Sequence, residues 1–171
     1  SIDEEAPFPK ISLIEFDRDY LKEEIIRNVE NLASVISATD RVHWIDVQGL
    51  GDEATIRKLG EVFSLHPLAL EDITNVPQVA KVEEYDNCLF VCLPMMRMEE
   101  DSVVYEQMSL FLGETFVLTF QERYGDVLDP VRNRMRRNSR IRSMDNDYTA
   151  YAILDTIVDN YFPVFQSIGS E

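Results

Sequence analysis

Two adjacent carboxylates, Glu71 and Asp72, lie in the segment HPLALEDITN (66–75) and are the first residues that could do chemistry. A pair of catalytic carboxylates must face each other across a substrate. Adjacent residues on a helix point about 100° apart, so this pair is a poor acid–base dyad. Two interpretations remain. The pair can be solvated acids that complement a helix dipole, or part of a Mg²⁺ site, which needs only one or two carboxylates beside its waters.

A second acidic pair, Asp155 and Asp159, lies in AILDTIVD (152–159). The spacing of four places both side chains on one face of a helix, where like charges repel by a few tenths of a kcal/mol. A bound cation would turn this repulsion into attraction. Asp145, Asp147 and Asn160 supply further oxygen atoms on the same predicted helix, although not all on the same side.

The remaining reactive residues do not suggest an enzyme. The sequence contains no nucleophile elbow, phosphate-binding loop or dinucleotide fingerprint. We expect the two histidines, His43 and His66, to be structural. Cys88 and Cys92 are four residues apart in a strand-like run, too far apart to form a disulfide, and are predicted to be reduced core residues of a cytosolic protein.

The net charge of −16 argues against binding to nucleic acid or to anionic lipid and favours divalent cations as partners. One segment, VRNRMRRNSRIR (131–142), is instead rich in arginine. These side chains can pair with acids of the same chain or of an adjacent subunit, or can contact phosphates. The arginines of this basic cluster are Arg132, Arg134, Arg136, Arg137, Arg140 and Arg142.

Hydrophobic periodicity predicts strands at 11–16, 22–28, 41–50, 81–87 and 88–98, followed by a hairpin within 103–122 that turns at Gly113-Glu114. Short helices are predicted at 29–37, after an Asp52 cap, and from Pro67 with Leu68, Leu70 and Ile73 buried. A further helix is capped by Asp126 or Asp129, and a last helix begins near 145–147. This order predicts an α/β fold: a single domain over 1–171 with a mixed β-sheet covered by helices.

Several of these segments together resemble the amino-terminal cytosolic domain of the CorA family of magnesium transporters. The resemblance covers roughly residues 40–166 with consistent order and spacing. It is carried by HWIDVQGL, LGEVFSLHPLALEDITN, QVAKVEEYDNCLFVCLPMM, EQMSLFLGETFVLTFQE, GDVLDPVRNRMR and DYTAYAILDTIVDNYFPV.

The resemblance implies a homopentameric transporter, regulated by Mg²⁺ bound between cytosolic domains at the cytoplasmic face of the cell membrane. It implies an α/β part over about 1–144, and over about 145–171 the start of terminal helices that would lead to a stalk. The membrane helices would follow residue 171. Carried over by position, the metal ligands are Glu71, Asp72, Asp155 and Asp159, with Mg²⁺ as the regulatory ion and Co²⁺ as an alternative.

Three other functions stay open on sequence alone. A related zinc transporter would differ mainly in its pore, which this sequence does not include. A stand-alone divalent-cation-binding module would have no membrane part. A metal-dependent hydrolase using Glu71 and Asp72 is disfavoured by the geometry of adjacent helical residues.

Overall fold

A computed structural model of the protein describes residues 6–75, 79–137 and 140–169. The seven strands found in these ranges form one mixed sheet in the order β2-β1-β3-β7-β6-β5-β4, in which β3 and β7 are parallel and every other neighbouring pair is antiparallel. The strands are β1 (Lys10–Phe16), β2 (Leu21–Ile26), β3 (Val42–Gln48), β4 (Lys81–Tyr85), β5 (Cys88–Glu99), β6 (Ser102–Leu112) and β7 (Phe116–Gln121).

In the described part of the chain six α-helices cover this sheet, which confirms the predicted fold class. They are α1 (Leu32–Ser37), α2 (Glu53–Val62), α3 (Pro67–Thr74), α4 (Asp129–Arg136), α5 (Asn146–Asp159) and α6 (Tyr161–Gly169). Single 3-10 turns precede α1 at Val29–Asn31 and α5 at Arg140–Ser143. The ends of the predicted 1–171 domain, residues 1–5 and 170–171, lie outside the described part of the chain.

The helices are divided between the two faces of the sheet. Successive side chains of a strand point to opposite faces. On β3, Ile45 and Val47 therefore pack with helices α1, α2 and α3, whereas Trp44 packs with α4 and α5. Each face buries its own apolar core. Both cysteines are free and lie in the first of these cores, as predicted.

Two helix starts test the predicted caps. Asp52 caps α2, since its Oδ1 accepts a hydrogen bond from the Ala54 amide at 3.2 Å. The predicted caps of α4 were wrong: its capping position is Leu128, which makes no side-chain cap. Asp129 is instead the first helical residue, and its carboxylate accepts a hydrogen bond from Arg132.

The terminal helical segment runs from 146 to 169 but is interrupted at Asn160, between α5 and α6. Pro163 explains the break. A proline has no amide hydrogen and its ring clashes with the carbonyl four residues earlier, which here belongs to Asp159, the last residue of α5.

The basic cluster pairs mainly within the chain. Arg132 is buried and donates to the carboxylates of Asp46 and Asp129. Asp46 also accepts hydrogen bonds from Thr119 and Gln121 of β7. A buried carboxylate needs such partners, because removing one side of a buried ion pair typically costs about 3–5 kcal/mol. This network fixes α4 to the centre of the sheet.

Two more arginines of the cluster extend this attachment toward the edge of the sheet. Arg136 donates two hydrogen bonds to the Glu23 carboxylate of β2, at 2.7 and 2.9 Å. Arg142 donates to the Asp17 carbonyl at 3.2 Å. The arrangement matches the predicted pairing with groups of the same chain. Residues 138 and 139 of the cluster lie outside the described part.

His43 is fully buried on the face of β3 opposite to Asp46, as expected of a structural residue. Its Nε2 lies 3.3 Å from Glu15 Oε1 without the geometry of a hydrogen bond, and neither ring nitrogen has a hydrogen-bond partner among the described residues. Burial lowers the pKa of His43, and the nearby Glu15 carboxylate opposes this only in part. The folded protein therefore favours the neutral imidazole.

We expect the free energy of unfolding to fall as the pH drops below the ordinary imidazole pKa of about 6.5. Below that value the unfolded chain binds a proton at His43 that the folded chain resists, so stability rises with pH across this window. In His43→Phe the slope between pH 7 and 5 should be shallower by up to about 1.4 kcal/mol per pH unit. Urea unfolding followed by the fluorescence of Trp44 measures both slopes.

The control is Phe116→Leu, which replaces the neighbour of His43 on β7 and removes no titrating group. It should lower stability at every pH and leave the slope unchanged. Equal slopes for the native chain and His43→Phe would contradict the assignment.

Candidate metal site

Helix α3 carries the first acidic pair, and its start is fixed by His66. Pro67 occupies the first helical position, and His66 Nδ1 accepts a hydrogen bond from the Leu68 amide at 3.1 Å. Ala69 and Ile73 are the residues of this helix that are buried. The prediction that Leu68 is buried was wrong, because its side chain is 59% exposed. Ile73 is buried as predicted and Leu70 is partly buried, whereas Ala69 is buried in place of Leu68. Leu68 lies one turn before the acids on the outer side.

Within the acidic pair the two carboxylates differ in environment. Glu71 is exposed, whereas Asp72 is partly buried and its Oδ2 contacts the ammonium of Lys81 on β4. The backbone carbonyl of Asp72 also accepts a hydrogen bond from Gln107 Nε2 of β6, at 3.1 Å. Asp72 is thus held by its backbone and paired through its side chain, and the hydrogen bond to Asp72 raises the pKa of Lys81.

Lys81 is the first of three side chains on β4 that alternate with the strand period and lie beneath α3. Its ammonium is 3.2 Å from Glu83 Oε1, and Tyr85 donates a hydrogen bond to Glu83 Oε2 at 2.5 Å. The Tyr85 ring stacks on His66 with 4.7 Å between centroids. Burial first, and then the hydrogen bond to Glu83, raise the pKa of Tyr85 to about 12. This polar row connects the cap of α3 to Asp72 in its second turn.

Helix α5 carries the second acidic pair. Asp155 and Asp159 are both exposed, one turn apart, and take part in none of the ion pairs between described residues. Large apolar side chains flank Asp155 on the same stripe: Tyr151 is 60% exposed one turn before it, and Val158 is 43% exposed one turn after it. This outer stripe continues onto α6, where Phe162 and Phe165 are also exposed.

The two acidic pairs lie on opposite faces of the sheet. Helix α3 packs in the core with Ile45 of β3, and α5 packs in the core with Trp44. Within the described ranges, no group of three or more His, Cys, Asp or Glu side chains is arranged to hold a metal ion. The donor chemistry fits Mg²⁺, which binds oxygen ligands and retains waters. Each pair by itself supplies only part of a coordination shell.

Sequence reasoning missed the residues that surround Asp72. The i, i+2, i+4 spacing of Lys81, Glu83 and Tyr85 signals one face of a strand, but nothing in the sequence states that α3 lies over that face. Gln107 is 35 residues from Asp72 along the chain, and its contact depends on the sheet order. The role of His66 had a local signal, because a polar side chain directly before Pro-Leu at a helix start is a candidate cap.

Solved structures with the same arrangement of elements include the soluble domain of CorA from Methanocaldococcus jannaschii. The TM-score is 0.70 at 14% identity, covering 94% of this chain and 60% of that one. The ZntB cytoplasmic domain from Vibrio parahaemolyticus gives a TM-score of 0.69 at 10% identity, covering 94% and 62%. At these identities the likeness concerns the fold alone.

The sequence decides the family. The model of the CorA-like Mg²⁺ transporter proteins matches residues 39–171, more than three quarters of the chain. The chain belongs to the CorA family. The cobalt/magnesium transport protein CorA of Thermotoga maritima is 42% identical over 131 residues, which are 75% of this chain and 37% of that protein. The putative metal ion transporter YfjQ of Bacillus subtilis is 32% identical over 126 residues, 74% of this chain and 39% of that protein.

The chain spans less than two fifths of the length of these CorA relatives. The CorA family is one of transport proteins and not of enzymes, which confirms the expectation that this chain is not an enzyme. Between residues 6 and 169, apart from the two undescribed gaps, no helix is both long enough and apolar enough to cross a membrane.

We expect the His66 cap to stabilise the start of α3, the helix that carries Glu71 and Asp72. His66→Ala should lower the free energy of unfolding by about 1–2 kcal/mol, because it removes both the cap and the stacking on Tyr85. Asparagine is a favourable capping residue without a stacking ring, so His66→Asn should recover roughly half of the loss. Urea unfolding of the three proteins at pH 7.5 gives the comparison. Equal losses for the two variants would show that the cap contributes nothing.

Proposed function

We propose that this chain is the Mg²⁺-sensing regulatory domain of a CorA-type divalent cation transporter, with the sensing ions bound between neighbouring copies. In this proposal Glu71 and Asp72 on α3 of one copy share an ion with Asp155 and Asp159 on α5 of the next. The observation that supports it is the position of the two acidic pairs on opposite faces of one sheet, each beside exposed apolar side chains.

The separation of the two pairs restricts how the copies can associate. A site that joins α3 of one copy to α5 of another uses two different surfaces, so the contact is heterologous. Heterologous contacts produce a ring when the rotation closes and a filament when it does not. A ring around a central pore is the useful form for a channel, and five copies is the number that membership in the CorA family suggests.

The charge of the chain supplies a gating principle. Each copy carries a formal charge of −16, so neighbouring copies repel each other. Divalent ions between them offset this repulsion and hold the ring together when Mg²⁺ is plentiful. When Mg²⁺ is scarce the ring loosens, and the ion affinity and the closed state are linked by one coupling free energy. The full protein would place this domain at the cytoplasmic face of the membrane, with its membrane-spanning helices outside this chain.

The choice of ion follows from the ligand atoms. All four proposed ligands are carboxylates, which suit Mg²⁺. Zinc prefers imidazole and thiolate ligands, and His66 and the two cysteines are engaged in the cap or buried in the core. The donor set therefore favours Mg²⁺ over Zn²⁺ in spite of the fold shared with the ZntB domain. Co²⁺ is a possible second ion, since the relative from Thermotoga maritima is named for both cobalt and magnesium.

A mixing experiment tests the heterologous site. One variant loses the α3 ligands (Glu71→Gln with Asp72→Asn) and the other loses the α5 ligands (Asp155→Asn with Asp159→Asn). We expect millimolar MgCl₂ to make the native chain associate. In the same MgCl₂, association of either variant alone should be weaker than that of the native chain by at least about tenfold, or ~1.4 kcal/mol. A 1:1 mixture should form Mg²⁺-dependent heterodimers and nothing larger, because each mixed pair contains one intact site. Sedimentation velocity distinguishes these species.

The matched control is Glu61→Gln with Glu114→Gln, which removes the same charge from two exposed positions that belong to neither pair. Its response to MgCl₂ should equal that of the native chain. Association of both ligand variants at the native level, or a mixture with no gain over its components, would contradict the shared site.

A further inference from the structure

Lys81 forms an ion pair with one of the proposed ligands of the sensor. Its ammonium contacts Asp72 Oδ2 and lies 3.2 Å from Glu83 Oε1, so one lysine bridges a proposed metal ligand and a carboxylate of its own strand. The two side chains of the Asp72 contact are only 18% and 28% exposed. Partial burial reduces screening by water and salt, and the ammonium therefore neutralises Asp72 more effectively than a surface lysine would.

We propose that Lys81 is a built-in competitor of the divalent cation at Asp72; this inference rests on the proposed function. The ammonium occupies the carboxylate when Mg²⁺ is scarce and leaves it when Mg²⁺ binds. Lysine carries three donors and no acceptor, so it cannot support a bound cation through a hydrogen bond. Mg²⁺ coordinated at about 2.0–2.1 Å would also stand close to a like charge that shares the same carboxylate.

The structure provides a second place for the displaced ammonium. Glu83 is already within ion-pair distance of Nζ, and its other oxygen is held by the Tyr85 hydroxyl. A small rotation of the flexible lysine stem transfers the ammonium fully to Glu83 without any movement of β4. Asp72 keeps its position in the meantime, because its backbone carbonyl is bonded to Gln107. The exchange therefore weakens Mg²⁺ binding by a limited amount and does not prevent it.

This competition sets the concentration at which the sensor responds. Mg²⁺ must displace the Lys81 ammonium from Asp72. It therefore needs a higher free concentration to reach half occupancy than it would if the lysine were absent, and the ratio of the two concentrations measures the competition. Glu83 adjusts this concentration, because a stronger ion pair between Glu83 and the displaced ammonium favours Mg²⁺ at Asp72.

The test is a double-mutant cycle on the full chain, with isothermal titration of MgCl₂ as the readout. We expect Lys81→Met, which keeps the apolar stem, to tighten Mg²⁺ binding by roughly fivefold to tenfold. Glu83→Gln in the native background should weaken binding, because the ammonium then rests on Asp72 alone. In the Lys81→Met background the same change should have a much smaller effect. This non-additivity distinguishes competition from a general change of charge.

Lys58→Met is the matched control, since it removes a lysine from an exposed ion pair with Glu30 on the same side of the sheet. It should change Mg²⁺ affinity by less than about twofold, as expected for a screened surface charge. Lys81→Gln serves as a second variant, and far-ultraviolet circular dichroism checks that every variant is folded. Weaker binding in both folded Lys81 variants would show that Lys81 positions Asp72 and would overturn the inference.

Failure of the inference and failure of the proposed function give different results. If Asp72→Asn weakens the response to MgCl₂ but the Lys81 variants leave it unchanged, the sensor stands and the competitor is refuted. If neither Asp72→Asn nor the Lys81 variants alter the response, Asp72 is not a ligand, and both proposals fail.

Discussion

The covering of one sheet by helices on both faces is the constraint on which the other features depend. Because strand side chains alternate, β3 supplies Ile45 to one core and Trp44 to the other, and the helices must divide between them. The division places α3 and α5 on opposite sides of the molecule. A cation that needs ligands from both helices must then bind between two molecules. The division of the helices between the two faces would therefore make such a site a contact between copies.

The parallel pairing of β3 with β7 connects this constraint to the terminal helices. It brings Thr119 and Gln121 beside Asp46, and the resulting buried carboxylate holds Arg132 of α4. Such a buried pair is weak evidence for net stability. Its role here is positional: it fixes the helix that leads into α5, and thus the direction in which Asp155 is presented. The basic cluster serves largely as this attachment, which is the pairing within the chain that its sequence allowed.

Local signals in the sequence were sufficient for most of the elements and insufficient for the contacts of the site. The alternation of apolar residues located the strands and their helical period located the helices. Asp52 was correctly predicted to cap α2. Leu68 was assigned to the buried side because it is apolar, but the stripe selected by packing runs through Ala69 and Ile73. The pairing of Lys81 with Asp72 was not predictable, because it depends on α3 lying over β4. Family resemblance supplied the proposed ligands, whereas their division between two faces required the sheet topology.

In the proposed assembly, screening explains why a few carboxylates would control the association of so acidic a chain. At physiological salt, exposed charges more than roughly 8 Å apart are largely screened, so most of the net charge of −16 acts weakly between copies. Carboxylates brought together at a contact are closer than this and lose part of their water, so their repulsion is the part that a bound cation can reverse. A lysine beside one of these carboxylates acts over the same short range. Under the two proposals above, the response to Mg²⁺ depends on local exchange among Asp72, Lys81 and Glu83 more than on the total charge of the domain.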